Sequence, residues 1–147
     1  MARLDLSIRA GLALLRVHHA IYDWTGGLVG HRLLGVPCLL LRTTGQRTGK
    51  TRSVSLVYAR DDGDYLVVAS VGGADEEPAW LRNVEARPEV GVQIGRRRFP
   101  ARASTVGHDD PDFPRLWGIV DRNNKGRYSR YQARTARPIP VVRLTPA

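Results

Sequence analysis

The 147-residue chain has little of the chemistry that cross-links or binds metals. It contains one cysteine, Cys38, so no disulfide can form within the chain. Cys38 begins an apolar run, where we expect a buried core residue and not a nucleophile. The four histidines give no metal-ligand spacing, since His18 and His19 are adjacent while His31 and His108 are isolated. We therefore expect no metal site.

Long hydrophobic runs are also absent. No apolar stretch is long enough to cross a bilayer, and the chain has no internal repeat or low-complexity tract. The apolar segment 10–15 is too short and interrupted for a signal peptide, and no small-residue cleavage site follows it. A chain of this length forms one domain around one core. The expectation is a single cytoplasmic domain over residues 1–147, with peripheral binding at the inner face of the membrane left open.

Acidic residues and lysines are scarce beside arginine. Arg and Lys together number 23, of which 21 are arginine, against 14 Asp and Glu, so the formal net charge is +9. This excess favours an anionic partner, and nucleic acid, anionic lipid and a polyanionic cofactor all fit. A GC-rich genome would explain part of the arginine bias. Because the arginines are spread along the chain and no nucleic-acid-binding motif is present, we expect no nucleic acid.

The spacing of apolar residues changes near residue 38. Residues 4–24 follow a helical spacing and predict an amphipathic helix within an N-terminal helical segment, 1–35. The following core, 38–145, alternates with period two and predicts about six short antiparallel strands with flanking helices. The predicted strands are 38–43, 53–60, 65–70, 90–94, 98–104 and 139–144, and the helices are 78–86, 109–120 and 128–133. Tight turns are predicted at 61–64 and at Gly95-Arg96. Short strands with few crossover helices indicate a small barrel.

The loop at residues 43–52, Thr-Thr-Gly-Gln-Arg-Thr-Gly-Lys-Thr-Arg, is the most informative segment. Its glycines let the backbone approach a ligand closely, and its N–H groups, hydroxyls and three cations can bind phosphate or carboxylates. A nucleotide-binding P-loop is excluded because only three residues separate Gly45 from Gly49 and strands flank both sides. Taken alone, the loop would more often be a solvated basic hairpin than a binding site.

Three further motifs follow this loop in a fixed order. They are Ala-Ser-Val-Gly-Gly at 69–73, Pro-Ala-Trp-Leu-Arg-Asn at 78–83, and Tyr-Ser-Arg-Tyr-Gln at 128–132, with Ile-Pro-Val beginning at 139. Each motif is weak by itself, but their order and spacing over residues 38–145 are specific. Together with Thr-Thr-Gly-x-x-Thr-Gly-x-x-Arg, they resemble the deazaflavin-dependent nitroreductase family.

The resemblance implies a fold, a cofactor and a reaction. The fold would be a split β-barrel of the flavin-reductase and pyridoxamine-oxidase type. The cofactor would be coenzyme F-420, an 8-hydroxy-5-deazaflavin with an anionic lactyl phosphate and oligoglutamate tail. The reaction would be hydride transfer from the reduced cofactor to a small organic acceptor such as an enone, a quinone or a nitro compound. A split-barrel enzyme using flavin mononucleotide (FMN) and a non-catalytic deazaflavin-binding or storage protein remain alternatives.

The resemblance also assigns roles to residues. Those that would bind the phosphate and tail are Gln46, Arg47, Thr48, Gly49 and Arg52. Those that would line the deazaflavin ring along two strands are Val54, Ser55, Leu56, Val57, Val68, Ala69, Ser70 and Val71. Those that would close the site from a helix are Ala79, Trp80 and Asn83. The candidate catalytic residues are Ser70, Tyr128 and Tyr131, and Tyr128 would also face the ring. A hydroxyl of Ser70 or Tyr131 could donate a hydrogen bond to the acceptor oxygen where negative charge develops.

Two departures from the family pattern and several structural alternatives stay open. Val71 replaces a residue that is often basic, and Lys125 occupies a position where nitro-reducing relatives can have tyrosine, so nitro reduction is not carried over. Trp80 could be a core residue, and Tyr128 and Tyr131 could fix the C-terminal segment to the barrel. The helix at 4–24 could pack on the barrel, form a dimer contact or bind weakly to an anionic membrane surface. Either a monomer or a homodimer fits.

Overall fold

A computed structural model describes residues 32–33 and 36–147, so the predicted helix at 4–24 lies outside the described residues. The described chain folds into short strands with helices inserted between them. The strands are β1 Arg32–Leu33, β2 Val36–Thr44, β3 Thr51–Val57, β4 Ala59–Asp61, β5 Asp64–Val68, β6 Glu89–Ile94, β7 Arg97–Val106 and β8 Val141–Pro146. The helices are α1 Ala79–Ala86, α2 Phe113–Asn123 and α3 Arg127–Gln132.

The strands form one antiparallel sheet that curls on itself. Its order is β3-β2-β6-β7-β8-β5-β4, and β1 pairs with the start of β2. The two ends of this order, β3 and β4, are consecutive in the chain, so the sheet closes towards a barrel. The predicted split β-barrel, mainly β with flanking helices, is confirmed, with eight strands in the described residues instead of about six.

The predicted single strand over 53–60 is wrong at Tyr58, where the chain passes from one end of the sheet to the other. The Tyr58 N–H donates to the carbonyl oxygen of Pro37 at 3.1 Å. Its own carbonyl accepts a hydrogen bond from Asn123 Nδ2 at 2.8 Å, which fixes the break to the end of α2. The alternation of apolar residues indicates which face of a strand is buried, but it does not indicate which strand lies beside it. The alternation continues through Tyr58, so the sequence pattern predicted one strand where there are two.

Two predicted tight turns are confirmed, and one helix differs. The turn between β4 and β5 is Asp62-Gly63, and that between β6 and β7 is Gly95-Arg96. The helix predicted over 109–120 begins at Phe113 and ends at Asn123. Asp112 is its N-cap residue, but its carboxylate makes no capping bond because it binds arginine side chains instead.

Buried apolar side chains lie on both faces of the sheet. Inside the barrel, alternate strand residues such as Leu39 and Leu41 pack with Trp80 and Leu81 of α1. On the outer face, α2 and α3 pack on the sheet through a second cluster that includes Leu116. Each fully buried large side chain contributes roughly 1.5–3 kcal/mol, so both clusters fix their helices firmly. Helix α1 is thereby anchored by its apolar face at the barrel.

Three further findings concern the whole described chain. Cys38 is 1% exposed on β2 and belongs to the buried residues, as expected. In residues 32–33 and 36–147, no three His, Cys, Asp or Glu side chains form a group that could hold a metal ion. None of the helices in these ranges has the length and apolar character needed to span a membrane.

Candidate functional site

A cleft of about 680 Å³ lies between the loop 45–50 and helix α1. Eight of the residues predicted to bind a cofactor line it together: Gln46, Arg47, Thr48, Arg52, Val54, Ala79, Trp80 and Asn83. Sequence reasoning missed four other lining residues, namely Thr43, Gly45, Ser53 and Arg82. Thr43, Gly45 and Ser53 flank assigned residues and could have been found by extending the loop assignment. The cationic side chain of Arg82 within the helix motif was a signal that the sequence analysis left unused.

The loop itself is a tight turn that exposes its central side chains. The Gly45 N–H donates to the Lys50 carbonyl at 2.7 Å, and the Gly49 N–H donates to the Gly45 carbonyl at 2.9 Å. Gly49 has φ +70°, a conformation that favours glycine. Gly49 is outside the cleft lining, so its observed role is to close the turn. The exposed side chains of Gln46, Arg47 and Thr48 line the cleft beside it.

A buried amide joins this loop to helix α1. Asn83 is 8% exposed, and its Oδ1 accepts the Gln46 N–H at 3.0 Å. Its Nδ2 donates to Thr43 Oγ1 at 3.1 Å. The Asn83 amide therefore positions the loop, because both of its ends already have partners in the protein. A direct contact from Asn83 to a cofactor stays a prediction.

The cleft is positively charged. Its lining residues include three arginines and no acidic residue. Among the described residues, Arg47 and Arg52 have no ion-pair partner, and both are exposed. Arg82 faces Glu77, with 3.9 Å between Arg82 Nη1 and Glu77 Oε1. Unpaired guanidinium groups in a concave site favour an anion, since each can form charge-assisted hydrogen bonds with phosphate or carboxylate.

Of the residues 54–57 predicted on strand β3, Val54 lines the cleft and the other three do not. Val54 and Leu56 pack against the barrel interior, whereas Ser55 lies opposite Leu40 on the other face. Ser55 is 4% exposed, and its Oγ has no hydrogen-bond partner in the described chain. Among the described residues, β3 pairs only with β2. The backbone N–H and C=O groups along its other edge therefore have no strand partner there. The predicted contacts of residues 54–57 with the deazaflavin ring require such groups.

The loop after β5 holds the second set of predicted residues in an unusual conformation. Val68 and Ala69 are buried, and the predicted strand 65–70 ends at Val68 because the chain turns at Ser70. The three residues after Ser70 have positive φ, at 45° for Val71, 62° for Gly72 and 87° for Gly73. Such a conformation costs a β-branched residue of order 1–3 kcal/mol, so neighbouring contacts must hold the loop in place.

One of those contacts comes from a residue that sequence reasoning missed, Arg137. Its guanidinium donates to the carbonyl oxygens of Ala69, Ser70 and Ala74 at 3.1–3.2 Å. Burial lowers the pKa of Arg137 from its ordinary value, while the charges of Glu77 and Asp75 oppose that change. The bonds join positions more than 60 residues apart, and no local pattern marks them.

The two candidate catalytic tyrosines lie in different surroundings. Tyr128 is 5% exposed in the outer cluster, and this burial raises the pKa of its hydroxyl far above the ordinary value. Tyr131 is half-buried beside the loop at Gly73, where a Cβ would lie 2.5 Å from the Tyr131 carbonyl oxygen. The structure therefore brings Tyr131 to the loop that carries Ser70. Neither tyrosine nor Ser70 lines the cleft.

Comparison with known proteins is consistent with the geometry of the site. The family described as F420H(2)-dependent quinone reductase matches residues 14–146. An F420H(2)-dependent quinone reductase of Mycobacterium tuberculosis (strain ATCC 25618 / H37Rv) is 51% identical over 141 residues, which covers 95% of each chain. This chain belongs to the F420H(2)-dependent quinone reductase family. The narrower label of nitroreductase, which the motifs suggested, is not confirmed.

Two solved structures that are similar to this chain support the fold assignment. One, titled F420-H2 Dependent Reductase (FDR-A), is 35% identical, covers 74% of this chain and 93% of its own, and has a TM-score of 0.65. Another, described as a domain-swapped dimer, is 31% identical, covers 91% of this chain and 98% of its own, and has a TM-score of 0.67.

Proposed function

We propose that this protein is a coenzyme F-420-dependent reductase that passes a hydride to a small organic acceptor, with quinones as the first acceptor class to test. The observation that carries the proposal is the cleft in which Arg47 and Arg52 have no acidic partner among the described residues. The 51% identity to a mycobacterial F420H(2)-dependent quinone reductase supports the choice of cofactor and acceptor. Enones and nitro compounds are the other acceptors that the motifs suggest.

The residues of the cleft fit the anionic part of this cofactor. Arg47 and Arg52 would bind phosphate and carboxylate oxygens, and Gln46 and Thr48 add an amide and a hydroxyl from the same loop. Asn83 would keep that loop against α1, so the backbone that carries Arg47 is in place before a ligand arrives. This preorganisation reduces the entropy lost on binding.

The edge of β3 that has no strand partner among the described residues, together with the loop at Ser70, would receive the ring and the acceptor. Bound in the reduced form, coenzyme F-420 supplies the hydride. The protein then has to orient two molecules and exclude water, which removes much of the entropic barrier. The Ser70 or Tyr131 hydroxyl would donate a hydrogen bond to the acceptor oxygen as negative charge develops there.

The proposal is tested by titrating the purified full-length protein with coenzyme F-420 and following its fluorescence. Oxidation of the reduced coenzyme is then followed by absorbance with a quinone, an enone and a nitro compound in parallel. We expect saturable binding and the fastest turnover with the quinone. A protein that binds FMN in preference would support the flavin alternative, and binding without turnover of any acceptor would support storage.

The role of Tyr131 has its own test. The Tyr131→Phe variant keeps the ring and removes the hydroxyl. If the hydroxyl assists the acceptor, the rate of hydride transfer falls while coenzyme affinity hardly changes. Equal losses of both would indicate a structural role, and the Tyr128→Phe variant, altered inside the outer cluster, provides the comparison.

We also propose that residues 4–24 bind weakly to anionic membrane surfaces. This basic amphipathic segment lies outside the described residues, so the proposal rests on its sequence. Sedimentation with anionic vesicles should recover the full chain and not a chain starting at Gly35, and salt should weaken recovery. Unfolding or aggregation of the shortened chain would show instead that the segment belongs to the core.

A further inference from the structure

Arg82 places a third cation in the cleft, on the wall opposite the loop. It lies on α1 and lines the same cleft as Arg47 and Arg52. Among the described residues it differs from them in having an acidic neighbour, Glu77, at 3.9 Å between Arg82 Nη1 and Glu77 Oε1. The two side chains are 53% and 41% exposed, respectively. An ion pair of this length and exposure is weak, since exposed pairs contribute roughly 0–1 kcal/mol.

We propose that Arg82 binds the anionic tail of the coenzyme and that Glu77 is its counter-ion in the free protein, displaced when the tail binds. The inference rests on the proposed function, because it assigns further residues to the same cofactor. Exchange of one carboxylate for another leaves Arg82 paired throughout.

The arrangement has a consequence for selectivity. Arg47 and Arg52 can neutralise part of a tail that carries a phosphate and several glutamates, and Arg82 on the opposite wall would extend the contact across the cleft. A deazaflavin without phosphate and glutamates offers Arg82 no anion. Affinity should therefore depend on Arg82 only when the tail is present, and Glu77 should weaken binding of the tailed form alone.

The test is a double-mutant cycle on the full chain, with binding measured by fluorescence titration. The variants are Glu77→Gln, Arg82→Gln and the double variant. The matched control is Glu76→Gln, which removes the same charge one residue away, where Glu76 is exposed and has no ion pair among the described residues. The probes are coenzyme F-420 and the same deazaflavin with its ribityl chain but no phosphate or glutamates.

The two single variants should change the affinity for coenzyme F-420 in opposite directions. Arg82→Gln should weaken binding of coenzyme F-420 by about three- to tenfold, as expected for the loss of one exposed charge-assisted contact. Glu77→Gln should strengthen it by about two- to fivefold, because Arg82 no longer exchanges partners. In the Arg82→Gln background this gain should disappear. None of the variants should change the affinity of the tail-free deazaflavin by more than about twofold.

Several results would overturn the inference. One is an equal gain from Glu77→Gln and Glu76→Gln, which would reflect net charge alone. Another is a gain from Glu77→Gln that persists without Arg82. Unaltered affinity in Arg82→Gln would remove Arg82 from the site while leaving the proposed function intact. Failure of the unaltered protein to bind coenzyme F-420 would instead overturn the proposed function, and this inference with it.

Discussion

Arginine residues have different roles on the two sides of this site: on one side they are available to a ligand, and on the other one binds the protein's own backbone. Arg47 and Arg52 project from a turn and a strand start, are exposed, and have no acidic partner in the described chain. Arg137 lies behind the loop 69–74 and donates four hydrogen bonds to three backbone carbonyls. The first pair is available to a ligand, whereas the guanidinium of Arg137 already holds the protein's own backbone.

The difference shows what a net charge of +9 can and cannot indicate. Arg115 is a third case, because it binds the carboxylates of both Asp61 and Asp112 through two bonds each at 2.8–3.0 Å. An arginine with such partners contributes little to ligand binding. The charge available to a ligand is therefore the part of the arginine content that has no acidic partner in the described residues, and Arg47 and Arg52 place some of that charge in one cleft.

Replacing the unpaired arginines should have the largest effect on binding and a negligible one on folding. Each charge-assisted contact contributes roughly 1.5–3 kcal/mol, so Arg47→Ala with Arg52→Ala should weaken coenzyme F-420 binding at least about tenfold. The free energy of unfolding should not change. The matched control removes two exposed arginines from the β6–β7 hairpin, Arg96 and Arg98. Equal losses in both double variants would mean that only the overall field matters.

Replacing the paired arginine should reverse that result. Arg137→Gln leaves carbonyls of the loop 69–74 without their donor, and the free energy of unfolding should fall by about 2–3 kcal/mol. Urea denaturation measures this change. Arg134→Gln is the control, since Arg134 makes one long hydrogen bond, to the Gly72 carbonyl at 3.4 Å, and its guanidinium lies 5.7 Å from the centre of the Tyr131 ring. If Arg137→Gln instead weakened coenzyme binding with unfolding unaffected, the contrast between the two sides would be wrong.

Two glycines extend the same contrast to the backbone. Gly49 and Gly73 both have positive φ, at 70° and 87°. A Cβ at Gly49 meets nothing within 4 Å, but at Gly73 it would lie 2.5 Å from the Tyr131 carbonyl oxygen. Gly49→Ala should therefore cost about 1 kcal/mol of stability and Gly73→Ala about 2 kcal/mol or more. Equal decreases in the thermal unfolding temperature of the two variants would show that the loop at Gly73 adjusts to a Cβ at little energetic cost.

The sequence predicted local features well and distant ones poorly. The glycine-containing loop, the turns at Asp62 and Gly95 and the helix beginning near Pro78 depend on short-range preferences, and the structure contains them. The hydrogen bonds from Arg137 to the loop 69–74 and the strand break at Tyr58 join residues that are far apart in the chain. The position of Tyr128 also required the fold, because a motif gives spacing and not the side of the sheet on which a side chain lies.

The smallest expected effect concerns the fully paired surface network around Arg115, and it depends on pH. The guanidinium of Arg115 lowers the pKa of Asp61 and of Asp112 below the ordinary value of 3.8, with Arg143 adding to the effect. A carboxyl whose pKa is lowered by folding stabilises the protein above its unfolded pKa. That contribution disappears as pH falls through the folded value, because protonation removes the charge that Arg115 binds.

The test compares the unaltered protein with Arg115→Gln in urea denaturation between neutral pH and about pH 3, a range that spans the ordinary carboxyl pKa. The unaltered protein should have the higher urea midpoint near neutral pH, and the difference should shrink as pH falls below 3.8. The effect should be modest, since the network is exposed and salt screens it. A difference that is constant with pH would assign Arg115 a packing role. A difference that grows in acid would contradict the lowered pKa values, because the lost charges could then not be those of Asp61 and Asp112.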